Sequence, residues 1–197
     1  MKKLLLLLAV MTCQLATFAQ MEDDFETNQY GWTETAGKRG NALVKDGVLH
    51  MESKQLPLMS TIYAPFDINK PFTLTCEALA KKIDDDKIFG IVLDYEDEQN
   101  YMCFFICEGE ARLEVYKENR LIAYRYETIK LKSGKKVGIE FEVEYNLNEL
   151  IFKVNGIKAM AYRRRIQKDE YLLGTSGIGF FARNGQIIDF DNLKILQ

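Results

Sequence analysis

Residues 89–106 read F-G-I-V-L-D-Y-E-D-E-Q-N-Y-M-C-F-F-I, two apolar stretches around an acidic turn, with Asn100-Tyr101 opening the second. Side chains alternate between the two faces of a strand, and here both alternating sets are apolar over 89–95 and 101–107. Such strands are covered on both sides, so they belong in the middle of a sheet. A hairpin of this kind needs further layers to bury it, and the stretch reads as one hairpin of a large antiparallel sandwich.

The rest of the chain repeats the two-residue period. Residues 41–53 hold two runs around Lys45-Asp46-Gly47, a hairpin turn signal. Further strands are expected at 60–66, 71–82, 89–95, 100–107, 111–116, 121–126, 137–145, 150–154, 157–162, 177–182 and 187–195, with turns such as Glu118-Asn119 and Asn155-Gly156 between them. Only 163–173 suits a helical turn. All three prolines precede residue 72, which leaves the later strands free to pair. About a dozen short, evenly spaced strands without a composition break predict a single all-β domain, a two-sheet antiparallel jelly-roll sandwich, over 20–197.

Residues 1–19 read as an address. Lys2 and Lys3 precede a short apolar run, and Thr17-Phe18-Ala19 places small residues before a cut ahead of Gln20, the pattern of a secretory signal peptide. An exported protein, periplasmic or at the cell surface, is expected. No later run is long and apolar enough for a transmembrane helix. With 26 basic against 29 acidic residues, the chain is a poor partner for nucleic acid. Arg163-Arg164-Arg165 is its one dense basic run. Cys103 and Cys107, four apart on one strand, stand about 13 Å apart and cannot bridge each other. Cys76 with either is open across strands; the alternative is three buried thiols.

In order along the chain, Asp23-Asp24-Phe25 with Tyr30-Gly31-Trp32, the 44–49 hairpin V-K-D-G-V-L, the 89–101 hairpin, Val154-Asn155-Gly156, and the closing stretches 177–182 and 190–195 resemble the concanavalin A-like lectin/glucanase superfamily, in particular secreted Bacteroidetes-type laminin-G-like jelly-roll domains. The likeness runs over nearly all of 20–197. It implies that the first and last strands pair, which would bring Asp24-Phe25 beside Phe190-Asp191. It further implies a carbohydrate-binding, lectin-like protein, with a small glycoside hydrolase or a structural, partner-binding domain as the competing functions.

Three groups of residues carry chemistry. Glu140, Glu142 and Glu144 share one strand face, and some glucanases of this superfamily carry E-x-D-x-E in a similar place. A retaining hydrolase needs two carboxyls about 5 Å apart. Here the middle residue is Glu, and Lys153 across the hairpin offers an ion-pair partner. Sugar binding needs aromatic faces beside polar groups, and Asp94, Tyr95, Asn100, Tyr101, Arg112 and Tyr116, with Tyr124, Arg125 and Tyr126 nearby, are the candidates in the strands expected to be central. Structural calcium where the chain ends meet would draw on Asp24 and Asp191, with Asp23 and Asp189 in reach. His50 is the single histidine, on a face with Val48 and Glu52. The expected partner is a glycan or polysaccharide.

Overall fold

The computed structural model describes residues 20–83, 86–107, 109–131, 134–163 and 174–197. The region expected to hold a helical turn, like the leader, lies outside or at the margin of these residues. The strands are β1 (Gln20–Asp23), β2 (Thr35–Ala36), β3 (Gly40–Lys45), β4 (Val48–Ser53) and β5 (Leu58–Tyr63). They continue with β6 (Phe72–Ile83), β7 (Ile88–Asp97), β8 (Asn100–Cys107), β9 (Glu110–Lys117) and β10 (Arg120–Thr128). The last are β11 (Gly134–Tyr145), β12 (Glu149–Val154), β13 (Ile157–Arg163), β14 (Gly177–Arg183) and β15 (Ile187–Leu196).

They form two antiparallel sheets, one of nine strands in the order β13-β12-β11-β6-β15-β4-β3-β2, with β1 added on β15, and one of six in the order β10-β9-β8-β7-β14-β5. The all-β jelly-roll sandwich is therefore the fold. β7 and β8 sit inside the six-stranded sheet, as their two-faced apolar pattern requires. β10, in contrast, is an edge strand, so Tyr124 and Tyr126 are not central. The 60–66 strand is shifted: β5 is Leu58–Tyr63, Ala64 adds one more bond in the same register to the Ser176 carbonyl, and Pro65, which follows, has no N–H to donate.

The expected turns have a backbone reason. Asp46-Gly47 and Asn155-Gly156 both carry positive φ, at 53° and 73° and at 52° and 72°, the conformation of tight hairpins in which glycine escapes the Cβ clash.

The core lies between the sheets. Inward residues Cys76, Ala78, Phe141, Val143 and Phe190 face Phe89, Ile91, Phe104 and Phe180 from the other sheet. Aromatic rings tie the layers together: Phe104 stacks on Phe152 at 4.5 Å and Phe180 on Phe190 at 4.2 Å. Truncating such a buried ring costs about 3–5 kcal/mol.

The chain ends meet through β1 on β15, with Met21 opposite Ile195 and Asp23 opposite Leu193. Asp23 is buried there; its carboxylate accepts from the Trp32 indole at 2.7 Å and from the Phe25 amide at 3.0 Å. The sequence element read as an acidic-aromatic opening is thus a clasp that pins Trp32 against Phe25 and Phe180.

A second, smaller apolar cluster of Ile88, Val92, Cys103, Phe105, Cys107 and Phe181 lies on the outward face of the six-stranded sheet. This excludes a bridge from Cys76, which points into the sandwich interior while Cys103 and Cys107 point away from it; all three are buried thiols.

Candidate functional site

The outward face of the nine-stranded sheet carries a groove of about 440 Å³, lined by Glu77, Leu79, Gly138, Glu140, Asp189 and Asp191 among others. Antiparallel register builds it. Glu140 on β11 stands opposite Glu77 on β6, and Glu77 opposite Asp191 on β15. Side chains so placed have Cβ atoms about 5 Å apart, so three carboxylates run in a row across three strands. The adjacent row is Gly138, Leu79, Asp189 and His50.

Among the described residues the groove lining contains neither lysine nor arginine, so no cation there offsets the row of acids. Like charges directly opposite one another oppose folding, and nothing in strand pairing itself favours this arrangement. Burial pushes the Asp191 carboxyl above its ordinary value, and the charges of Glu77, Asp24 and Asp23 push it the same way. His50 Nδ1 and Asp189 Oδ1 are 2.6 Å apart at one wall. Asn192 donates to Glu77 at 3.3 Å, and the Asn155 amide oxygen accepts from the Glu140 backbone at 2.9 Å.

The floor is apolar and open. Leu79 is 44% exposed, although its strand is central in the sheet. A Cβ added to Gly138 would meet nothing within 4 Å, so the missing side chain leaves space in the groove.

The acidic stripe expected on β11 divides at Glu140. Lys153 on β12 donates to Glu142 at 3.0 Å and also to Glu144, whose carboxyl is held below its ordinary value mainly by that bond. Of the three, Glu140 alone lines the groove; its partner carboxylates come from β6 and β15, not from its own strand.

The residues expected to contact sugar also divide. Tyr101 and Tyr116 stack on each other at 5.0 Å on the outward face of the six-stranded sheet. Arg112, on the same face of β9, pairs with Glu110 at 2.9 Å, while the Tyr116 hydroxyl donates to Glu114 at 2.8 Å. Tyr95 packs against the same apolar cluster.

Asp94 and Asn100 are used otherwise. Asp94, with φ of 50°, accepts from the Gly174 and Thr175 amides at 2.6 and 2.9 Å and ties them to β7. Burial raises its carboxyl to about 6 against the pull of those two bonds. Asn100 spans two turns: it accepts from the Glu118 amide at 3.0 Å and donates to Asp97.

For calcium, Asp24 and Asp191 are near enough to sense each other's charge. Among the described residues, however, no three His, Cys, Asp or Glu side chains are arranged to hold a metal. Asp23 has both oxygens engaged by Trp32 and Phe25. A calcium shell of about six to eight oxygens would have to come largely from carbonyls and water. Among the described residues no helix is long and apolar enough to cross a membrane.

Comparison with solved structures places the fold among galectin-like sandwiches. The carbohydrate recognition domain of Emp47p matches with a TM-score of 0.65 at 14% identity, over 93% of this chain and 98% of that one. A Bacillus subtilis protein of unknown function with a galectin-like fold matches at 0.64 and 11%, over 92% and 98%. The carbohydrate binding module CBM66 from Bacillus subtilis matches at 0.59 and 12%, over 85% and 96%. No protein-family model and no curated protein matches the sequence.

Proposed function

We propose that the protein is an exported, non-catalytic glycan-binding domain of the laminin-G-like jelly-roll kind, and that its binding site is the groove over β11, β6 and β15. The observation that carries this reading is the uncompensated carboxylate row above an apolar floor. Carboxylates and the neighbouring amides accept hydrogen bonds from sugar hydroxyls, while Leu79 and the space over Gly138 receive an apolar sugar face. The same negative row repels sulfated and uronic acid-rich chains, so the ligand is a neutral glycan. The fold shared with a carbohydrate recognition domain and a carbohydrate binding module supports the class of ligand. Export rests on the signal-like pattern of residues 1–19.

The test is binding of the purified protein to a broad panel of neutral and acidic glycans, repeated with Gly138→Leu, which fills the groove. Binding to a neutral class that the substitution abolishes is expected. Binding that survives Gly138→Leu but is lost in Tyr116→Ala would move the site to the tyrosines of the other sheet. No binding by folded protein would remove the reading.

One observation favours a second reading, hydrolysis in the same groove: Glu140 faces Glu77 across adjacent strands. Release of reducing ends from a bound polysaccharide, abolished by Glu140→Gln with binding retained, is its signature. Structural calcium at Asp24 and Asp191 is carried in the same way, and a melting temperature unchanged by chelator would remove it.

A further inference from the structure

β15 carries a bulge where it passes the groove. Asp191 stands opposite Glu77 and Lys194 opposite Thr75, so β15 takes three steps while β6 takes two. Before the bulge the outward residues of β15 are 187, 189 and 191; after it they are 192, 194 and 196. Two consecutive residues, Asp191 and Asn192, therefore share the outward face, which regular alternation forbids. Asn192 makes this change of phase with a φ of 52°. Among the described residues, it and Asp94 are the only non-glycine residues inside a strand with positive φ. Asparagine is one of the few residues that adopt this conformation readily.

The bulge sets the Asn192 amide across two opposed carboxylates. Its Nδ2 donates to Glu77 Oε2 at 3.3 Å and to Asp191 Oδ2 at 3.4 Å, and its backbone N–H donates to Asp191 Oδ1 at 2.6 Å. Carboxylates accept and do not donate, so only the NH2 end of an amide can lie between them. This clamp takes up one oxygen of Glu77 and both of Asp191. Glu77 Oε1 and the carboxylate of Glu140, next along the row, take no part in it. The other charged groups facing the pair are Glu140 on β11, Asp189 and Lys194 along β15, and Asp23 and Asp24 at the end of β1.

We infer, on the glycan-binding reading of the groove, that Asn192 is its positioning residue: it holds Glu77 and Asp191 side by side against their mutual repulsion and leaves Glu77 Oε1 and Glu140 as the acceptors for sugar hydroxyls. Without the amide, like charges so placed swing apart or take up a proton, and in either case the fixed acceptors are lost. A ligand segment over these acceptors has to bring donors. The groove therefore favours sugars with free hydroxyls there over their O-acetylated forms.

The test compares Asn192→Gly, which keeps the left-handed backbone and removes the clamp, with Asn192→Asp, which keeps the shape and replaces the donor by a further acceptor. One readout is NMR titration of the Asp191 carboxyl carbon in the free protein; the other is affinity for the neutral glycan that binds best in the panel. In Asn192→Gly the Asp191 carboxyl should titrate at higher pH than in the unaltered protein, and affinity should fall about tenfold. Asn192→Asp should move both further in the same direction. A role in folding alone would lower the melting temperature and leave the Asp191 titration where it is, and that result overturns the proposal. Unchanged affinity in both variants does so as well, as does an O-acetylated form of the glycan that binds as tightly as the free one. If the folded, unaltered protein binds no glycan, the glycan reading falls alone, and the titration still decides the clamp: a raised Asp191 in Asn192→Gly upholds it, and identical curves overturn it.

Discussion

The outward face of the nine-stranded sheet holds a row of carboxylates over Leu79 and a vacant glycine, while that of the six-stranded sheet holds stacked tyrosines over a second apolar cluster. Both are built from the same alternating strands. On the six-stranded side, packing explains the residues: rings, thiols and aliphatic side chains fill space and stabilise the sheet. On the nine-stranded side it does not, because opposed carboxylates and an exposed leucine oppose or ignore folding. Residues without a structural benefit are the better candidates for ligand contact, and that contrast is the reason for proposing the groove.

Two glycines give the sharpest test of the contrast. A Cβ on Gly90, in β7, would run into the Phe104 carbonyl oxygen and lie 2.5 Å from the Phe105 Cα, atoms of a neighbouring backbone that cannot yield. Gly90→Ala should cost about 3 kcal/mol or more in urea unfolding. Gly138→Ala, with open space around it, should change stability by no more than a gain of about 0.5–1 kcal/mol. Equal costs at the two sites would mean that the two faces are packed alike.

Asp94 gives the next largest effect, on the packed side. Its buried carboxyl titrates at about 6, above the value near 3.9 of an unfolded chain. A raised acid binds protons in the folded state first, so its stabilising contribution is complete below about pH 4 and is lost as pH rises through about 6. That loss is on the order of 3 kcal/mol. Asp94→Asn keeps an oxygen for the Gly174 and Thr175 amides and should flatten the stability profile between about pH 4 and 6. A profile identical to that of the unaltered protein would contradict the burial argument.

The alternation along 137–145 and the two-faced apolar runs of 89–95 and 101–107 make the fold, the inward residues and the Lys153 partner legible in the sequence. What alternation leaves out is neighbourhood. Nothing in the sequence places β6 between β11 and β15, so Glu77 and Leu79 carry no signal there, and Glu140 groups naturally with Glu142 and Glu144 of its own strand. For the same reason Tyr124 and Tyr126 read as central although β10 is an edge. Asp94 reads as a ligand contact because its positive φ and its bonds to residues 80 and 81 positions later are products of the closed fold.

On the groove side, Glu77 is the residue shared by both like-charge pairs. Glu77→Gln should raise stability by about 0.5 kcal/mol at low ionic strength, with the gain fading as salt screens the exposed charges. Glycan affinity should fall in the same variant. A stability loss together with unchanged binding would show the row to be structural, like the tyrosines of the other sheet.

The smallest effect belongs to Lys153, where a carboxylate stripe has been neutralised. Glu144 is held below its ordinary range by Lys153, so the stabilising contribution is present above that range and is lost as pH falls through the lowered value. Lys153→Met should lower the melting temperature slightly at neutral pH and by less in acid, where Glu144 is protonated in both proteins. Glycan binding should not change, since Glu142 and Glu144 stand outside the groove lining. Loss of binding in this variant would extend the site along β11 and weaken the division between a compensated stripe and an uncompensated row on which the functional assignment depends.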